Sequence, residues 1–309
     1  MTLRSTILTF RIHRFETTLI VGATILSVLV SAAIVGWMSS NGLSRCFTDD
    51  TSVLTGLCQG TVNGWVLRIG HVSINIVPIF PYVAGLLIGV PLVARELEAG
   101  TARLAWSLGP SRIRWFVQRA LPALVMVGLA ALLIGLSSDA LYRAFQPGHD
   151  LDQSFLGFRQ RGLLVGVEAV LVASVAVALG SILGRFVPTF VLSLILAAGI
   201  GVAIDKVEGQ LLTNEALVSA NYDYNGTGYF LDSRFLLTDG SVVTWQELYA
   251  LRPEIESQGV SEDMGTPVTL YIPGSRYHEI ELREALALGG VAGLFAVVGA
   301  ITVMRRRPR

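Results

Sequence analysis

Two carboxylates, a glycine and a threonine stand at fixed spacing in Glu96-Leu97-Glu98-Ala99-Gly100-Thr101, with Arg95 before them. Arg103, Trp106, Arg112, Arg114 and Trp115 follow closely. This is the most chemically loaded stretch of the 309-residue chain, and its chemistry is recognition. Trp and Arg most often dominate the centre of a protein interface, and Glu96 and Glu98 near a helix start would suit the helix dipole. A plainer reading makes the arginines topology signals and the tryptophans a membrane-interface belt. That accounts for Trp115. It accounts poorly for Glu-x-Glu-x-Gly-Thr, because acids contribute little to topology.

Other candidates are sparser. Glu168 falls inside an apolar run, where a charged carboxylate costs about 2.5–3.5 kcal/mol on insertion scales. It must face protein or water, or be protonated. Two readings stand: a polar lining of a translocation path, shared with Asn75, or a structural hydrogen bond to a neighbouring span. His13, His71, His149 and His278 are scattered over different loops with no second ligand at helical spacing, so no metal site is expected. There is no phosphate-cradling loop and no Gly-x-Ser-x-Gly elbow, and the chain reads as non-catalytic, with no cofactor of its own. Cys46 and Cys58 are the only cysteines. Both fall in one loop read as external, where a disulfide would add about 3 kcal/mol by constraining the unfolded chain. The alternative is two free thiols.

The elements that position these groups are membrane spans. The chain is 52% hydrophobic and only 15% charged, against about 25% charged in ordinary soluble domains, with a mean hydropathy of +0.60. A span needs roughly 20 apolar residues, and six runs qualify: 17–38, 72–94, 120–137, 162–184, 186–204 and 285–304. The first is too long for a signal-peptide core and lacks a cleavage site. Arginines cluster in the amino-terminal stretch, the 94–119 segment, the turn at Arg185 and the tail, which six spans place on one side. That side is read as cytoplasmic, with both termini inside the plasma membrane. Arg143, Arg159 and Arg161 are a mild exception on the other side.

Four regions follow: an interfacial helix over 1–15, whose arginines reach the headgroups; spans one to five over 16–204, with the 94–119 segment between two of them; an external α+β segment over 205–284; and the last span with a basic tail, 285–309. The 205–284 segment holds 14 acidic against 5 basic residues. Within it, FLLTDGSVV reads as a hairpin around Asp239-Gly240, Thr244 to Glu247 as a capping box opening a short helix, and PVTLYIP as a strand. Asn225-Gly226-Thr227 matches a glycosylation acceptor but reads as a turn. Pro78, Pro81 and Pro91 predict a bent second span. Gly85/Gly89, Gly180/Gly184 and Gly289/Gly293 have the spacing that permits close helix crossing.

The stretch GVPLVARELEAGTARLAWSLGPSRIRW, residues 89 to 115, resembles permease subunits of type-2 ATP-binding-cassette exporters, in particular the actinobacterial branch. FRIHRFE (10 to 16), RGLLVGVEAVLVASVAVALGSILGRFVPTF (161 to 190) and LYIPGSRYHEIEL (270 to 282) look alike too. His278 and Glu168 stand where that family often carries an aromatic and a neutral residue.

The resemblance implies an all-helical six-span permease with a small external α+β cap. Its coupling segment would comprise Arg95, Glu96, Glu98, Gly100, Thr101, Arg103 and Trp106. The implied partners are two copies of a cytosolic ATPase, which hold ATP and magnesium, and a second permease copy, expected to be identical in sequence, within the lipid bilayer. No nucleic acid is expected. The rival reading is a membrane sensor that relays an external ligand signal to an ATPase without transport.

Overall fold

Six helices of the computed structural model are long and apolar enough to cross a membrane. The described residues are 13–42, 64–108, 111–220, 227–237, 239–251 and 265–306. Most of the interfacial-helix segment (residues 1–12), both Cys46 and Cys58, and Asn225 lie outside them. Contacts divide the chain into one unit of Met1–Gly148, Gly157–Ile200 and Glu281–Arg309, and a second of His149–Leu156 and Gly201–Ile280.

In the first unit, α1 is Arg14–Ser40 and α2 is Trp65–Ile76. Pro78 and Pro81 break the chain after α2, and α3 then begins at Phe80. This helix runs to Glu98, passing through one wide π turn over Pro91–Arg95. Proline has no N–H to close an α turn, which explains why the ladder widens there. The bend expected in span two is therefore a complete break plus a π turn. A short α4, Thr101–Leu108, precedes α5, Arg112–Phe145, α6, Leu163–Leu183, and the start of α7, Phe186–Glu215. The last helix, α9, is Tyr277–Arg305.

The centre of this unit is α3 packed on α6, both largely buried. A Cβ on Gly85 would run into Val172 and the backbone of Ala173, and one on Gly89 into Ala173 and Ala176. The glycines thus let two backbones touch, as the spacing predicts. Ala84, Ile88, Leu92, Val127, Val165 and Ala169 fill the core around that crossing. A smaller cluster joins α1, α2 and α5 through Ile34, Met38, Ile74, Leu141 and Phe145. By contrast, α1, α7 and α9 expose apolar side chains along much of their length, such as Leu26, Ile195 and Leu294. Such surfaces need hydrocarbon or another chain against them.

The second unit carries a four-stranded antiparallel sheet in the order β1-β4-β2-β3: Leu217–Ser219, Thr266–Ile272, Tyr229–Leu236 and Val242–Val243. The Asp239-Gly240 turn closes β2 onto β3. Gly240 takes φ 83°, and the Asp239 carboxylate accepts from Ser241 N–H at 2.9 Å and its hydroxyl at 2.6 Å. The capping box forms as expected: Glu247 Oε2 accepts the Thr244 N–H at 2.8 Å, and Thr244 Oγ1 accepts the Glu247 N–H at 3.3 Å. It opens α8, Trp245–Leu251, which lays Trp245 edge-on against Phe235 with centroids 4.4 Å apart. Phe155 packs between Tyr229 and Tyr277.

A candidate coupling site at the end of the second and third spans

The end of α3 and the segment that leads from it to α5 are bonded to α1, α5 and α7. Glu96 and Glu98 do not open a helix: they end α3, so the dipole argument from sequence fails and another use must be found for each. Glu96 is buried and paired with Arg119 of α5. Burial of such a pair demands good geometry from both partners, and Arg119 gains a second contact by lying over the Trp115 ring, 4.9 Å from its centroid. Glu98 is exposed, and its Oε2 accepts the backbone N–H of Phe186 at 2.9 Å, at the first residue of α7. Arg95 points out to solvent and approaches Glu16 of α1 at 3.7 Å, a distance that marks a loose surface pair.

Gly100 makes the turn, with φ 74°, a conformation a side chain would strain. Thr101 then starts α4, its hydroxyl donating to the Glu96 carbonyl at 3.3 Å. Ala102 is fully buried, whereas Ala99, Thr101 and Ser107 lie on the exposed side. Arg103 lies on the same short helix, its side chain outside the description. Trp106 meets Trp115 edge to face at 5.7 Å and lies under Arg112, 5.1 Å from the guanidinium. Trp115 is core, and Trp106 is half-buried. Arg112 also donates to the carbonyls of Met304 and Arg306 near the end of α9. Arg306 in turn donates to the Ser181 carbonyl of α6 at 3.1 Å.

Of the seven residues expected in this segment, Arg95, Glu96 and Glu98 form the last turns of α3, Gly100 makes the turn, and Thr101, Arg103 and Trp106 lie on α4. Sequence reasoning missed what they are fastened to. His13, Glu16, Arg119, Phe186 and Arg306 carry no motif of their own, and only spatial neighbours reveal their part. His13 is buried beside Glu16, Arg95 and Arg119; desolvation, opposed by Glu16 and aided by both arginines, holds its pKa below 6.5. Of the four histidines placed on loops by sequence, His71 and His278 are in helices α2 and α9.

Glu168 of α6 is half-buried and accepts a hydrogen bond from Tyr82 of α3 at 3.3 Å. Asn75 is exposed on α2 and is not brought to it. Toward the same end of α6, Arg159 pairs with buried Glu284, and Arg161, almost fully buried, pairs with Asp139 at 3.0 Å. Asp139 also holds Arg143 at 2.9 Å. The arginines that broke the charge pattern are therefore matched by acids.

Residues 17–207 match the family described as ABC-2 membrane transporter related. The chain belongs to that family. No curated protein and no solved structure matches it. The match takes in most of α1, the whole of the 94–119 segment, Glu168 and most of α7. The chain is thus a multi-pass ABC-2 permease subunit, and the family implies an ABC ATPase subunit as its partner. In the permease, Glu98, Ala99, Thr101 and Ser107 form an exposed strip on this segment.

Proposed function

We propose that this permease exports an amphiphilic or apolar substrate, driven by ATP hydrolysis on two cytosolic ATPase subunits that dock on residues 95–106. One observation carries the reading: the segment presents a polar strip while bonding at its base to α1, α5 and α7, and α5 is itself bonded through Arg112 to the end of α9. A force applied to Thr101 or Glu98 is therefore delivered to several spans at once. ATP and magnesium belong to the partner. Both termini and the coupling segment face the cytoplasm, and a second copy of the permease, identical in sequence, completes the pathway. In that orientation Cys46 and Cys58 share the outer face, where a disulfide between them can form.

Coupling requires that the strip bind two ATPase states with different affinity. Glu98→Lys or Thr101→Trp should abolish co-purification of the ATPase or leave its hydrolysis uncoupled from efflux in vesicles. Wild-type efflux by both variants would remove the docking assignment. Efflux that never exceeds that of empty vesicles, with the ATPase bound, would instead favour a sensor.

A further inference from the structure

Two cavities of about 370 Å³ each share Arg95 as a common wall. The first is lined by Ala99 and by the polar residues His13, Glu96, Thr101 and Arg119 besides Arg95. The second is lined by Leu86, Leu87, Pro91, Phe186 and Phe190, with Glu16 and Glu98 at its polar edge. His13 is 5% exposed, and its Nε2 has no hydrogen-bond partner among the described residues. A buried polar atom left in that condition is costly, which points to a ligand supplying the missing bond.

Position narrows the ligand. His13 immediately precedes the span Arg14–Ser40, and Glu98 ends the span Phe80–Glu98, so the shared wall lies at the level of lipid headgroups. Leu86, Leu87 and Pro91 lie further into that span, at the depth of acyl chains. Charge narrows it again. Arg95, Arg119 and His13 line the first cavity beside Glu96, whereas Glu16 and Glu98 line the second beside the shared Arg95. A purely anionic head would meet three carboxylates, counting Glu96, and a purely cationic one two guanidiniums. A zwitterion satisfies both signs. Carboxylates accept hydrogen bonds, which a primary ammonium can donate and a quaternary one cannot, and guanidiniums suit phosphate.

We propose that the joined cavities hold one phospholipid with a primary-ammonium headgroup, its phosphate against His13, Arg95 and Arg119 and one acyl chain along Leu87, Pro91 and Phe190. The lipid is a resident that ties α1 to the coupling segment; it is bound whether or not transport is under way.

The test is native mass spectrometry of delipidated full-length permease titrated with dioleoyl phosphatidylethanolamine, the matching phosphatidylcholine and phosphatidylglycerol, and phosphoethanolamine alone. Phosphatidylethanolamine should remain, one per chain, under activation that strips the other two lipids, and phosphoethanolamine should not be retained. Leu87→Trp and Phe190→Trp, which fill the apolar cavity, and His13→Phe should each lower retention about tenfold, while Leu294→Trp on the exposed face of α9 leaves it unchanged. Circular dichroism and gel filtration select the variants that fold; the outer-wall Phe190→Trp keeps the test open if a buried one does not. Equal retention of the three lipids, preference for phosphatidylglycerol, binding of phosphoethanolamine alone, or indifference to the folded cavity variants would each overturn the proposal.

Discussion

Glu98 Oε2 and the Phe186 backbone N–H lie 2.9 Å apart, joining the last residue of α3 to the first residue of α7. The first N–H groups of a helix have no partner within it, and a carboxylate satisfies one of them while matching the positive end of the dipole. Because the bond is exposed, its contribution to stability is about 1 kcal/mol. Its mechanical consequence follows from its place: while the bond holds, the start of the fifth span and the end of α3 move together. Glu98→Ala should lower thermal stability slightly and reduce ATP-coupled efflux much more. Equal small losses in both would mean that the bond only caps a helix.

The Tyr82–Glu168 hydrogen bond lets the two readings of Glu168 be separated. Glu168→Gln keeps an oxygen to accept from Tyr82 and removes only the charge. It should therefore reconstitute at wild-type yield, with efflux reduced several-fold if the carboxylate lines the path. Tyr82→Phe removes the bond instead and should cost about 1 kcal/mol of stability. Unchanged efflux in Glu168→Gln, with destabilisation in Tyr82→Phe, would assign Glu168 to holding α3 against α6.

The spans were legible because hydropathy reports which residues need hydrocarbon. It could not report their true ends. The third span was read as 120–137, yet α5 runs from Arg112 to Phe145, since helical hydrogen bonds continue past the bilayer once Trp115, Arg119 and Asp139 have tertiary partners. The capping box and the Asp239-Gly240 turn were readable because their chemistry is local. Glycine pairs were not equally informative. Gly85 and Gly89 make the close crossing, Gly184 instead ends α6 at φ 63°, and Gly293 faces open space. The coupling segment was visible from residue types, but its anchoring to His13, Phe186 and Arg306 joins residues up to 190 or more positions apart in chains of contacts that no local pattern encodes.

The α3–α6 crossing leads to a stability prediction. A Cβ on Gly89 would overlap Ala176 and the Ala173 carbonyl, backbone and side chain alike, and neither can rotate away. Overpacking of this kind costs about 1–3 kcal/mol. Gly89→Val should shift thermal unfolding down accordingly, whereas Gly293→Val, which meets nothing nearby, should not when the permease is monomeric in detergent. A drop for Gly293→Val seen only in the membrane or in a dimeric preparation would place that face at an interface between copies.

His13 gives a pH prediction whose sign is fixed by its surroundings. Burial lowers its pKa from 6.5; Glu16 opposes the shift, and Arg119 and Arg95 reinforce it. The folded protein thus releases this proton more readily than the unfolded chain does. Below 6.5 the unfolded state binds more protons, so stability rises with pH through the window up to 6.5 and is lost as pH falls through it. Well above 6.5 the imidazole is neutral in both states and the dependence vanishes. Delipidated permease should therefore melt at progressively lower temperature between pH 6.5 and pH 5. His13→Gln, which does not titrate there, should lose part of that slope while remaining parallel to the wild type above pH 7. Identical slopes for the two proteins below pH 6.5 would mean that His13 reaches water, and that the arginines beside it are too well screened to oppose its charge.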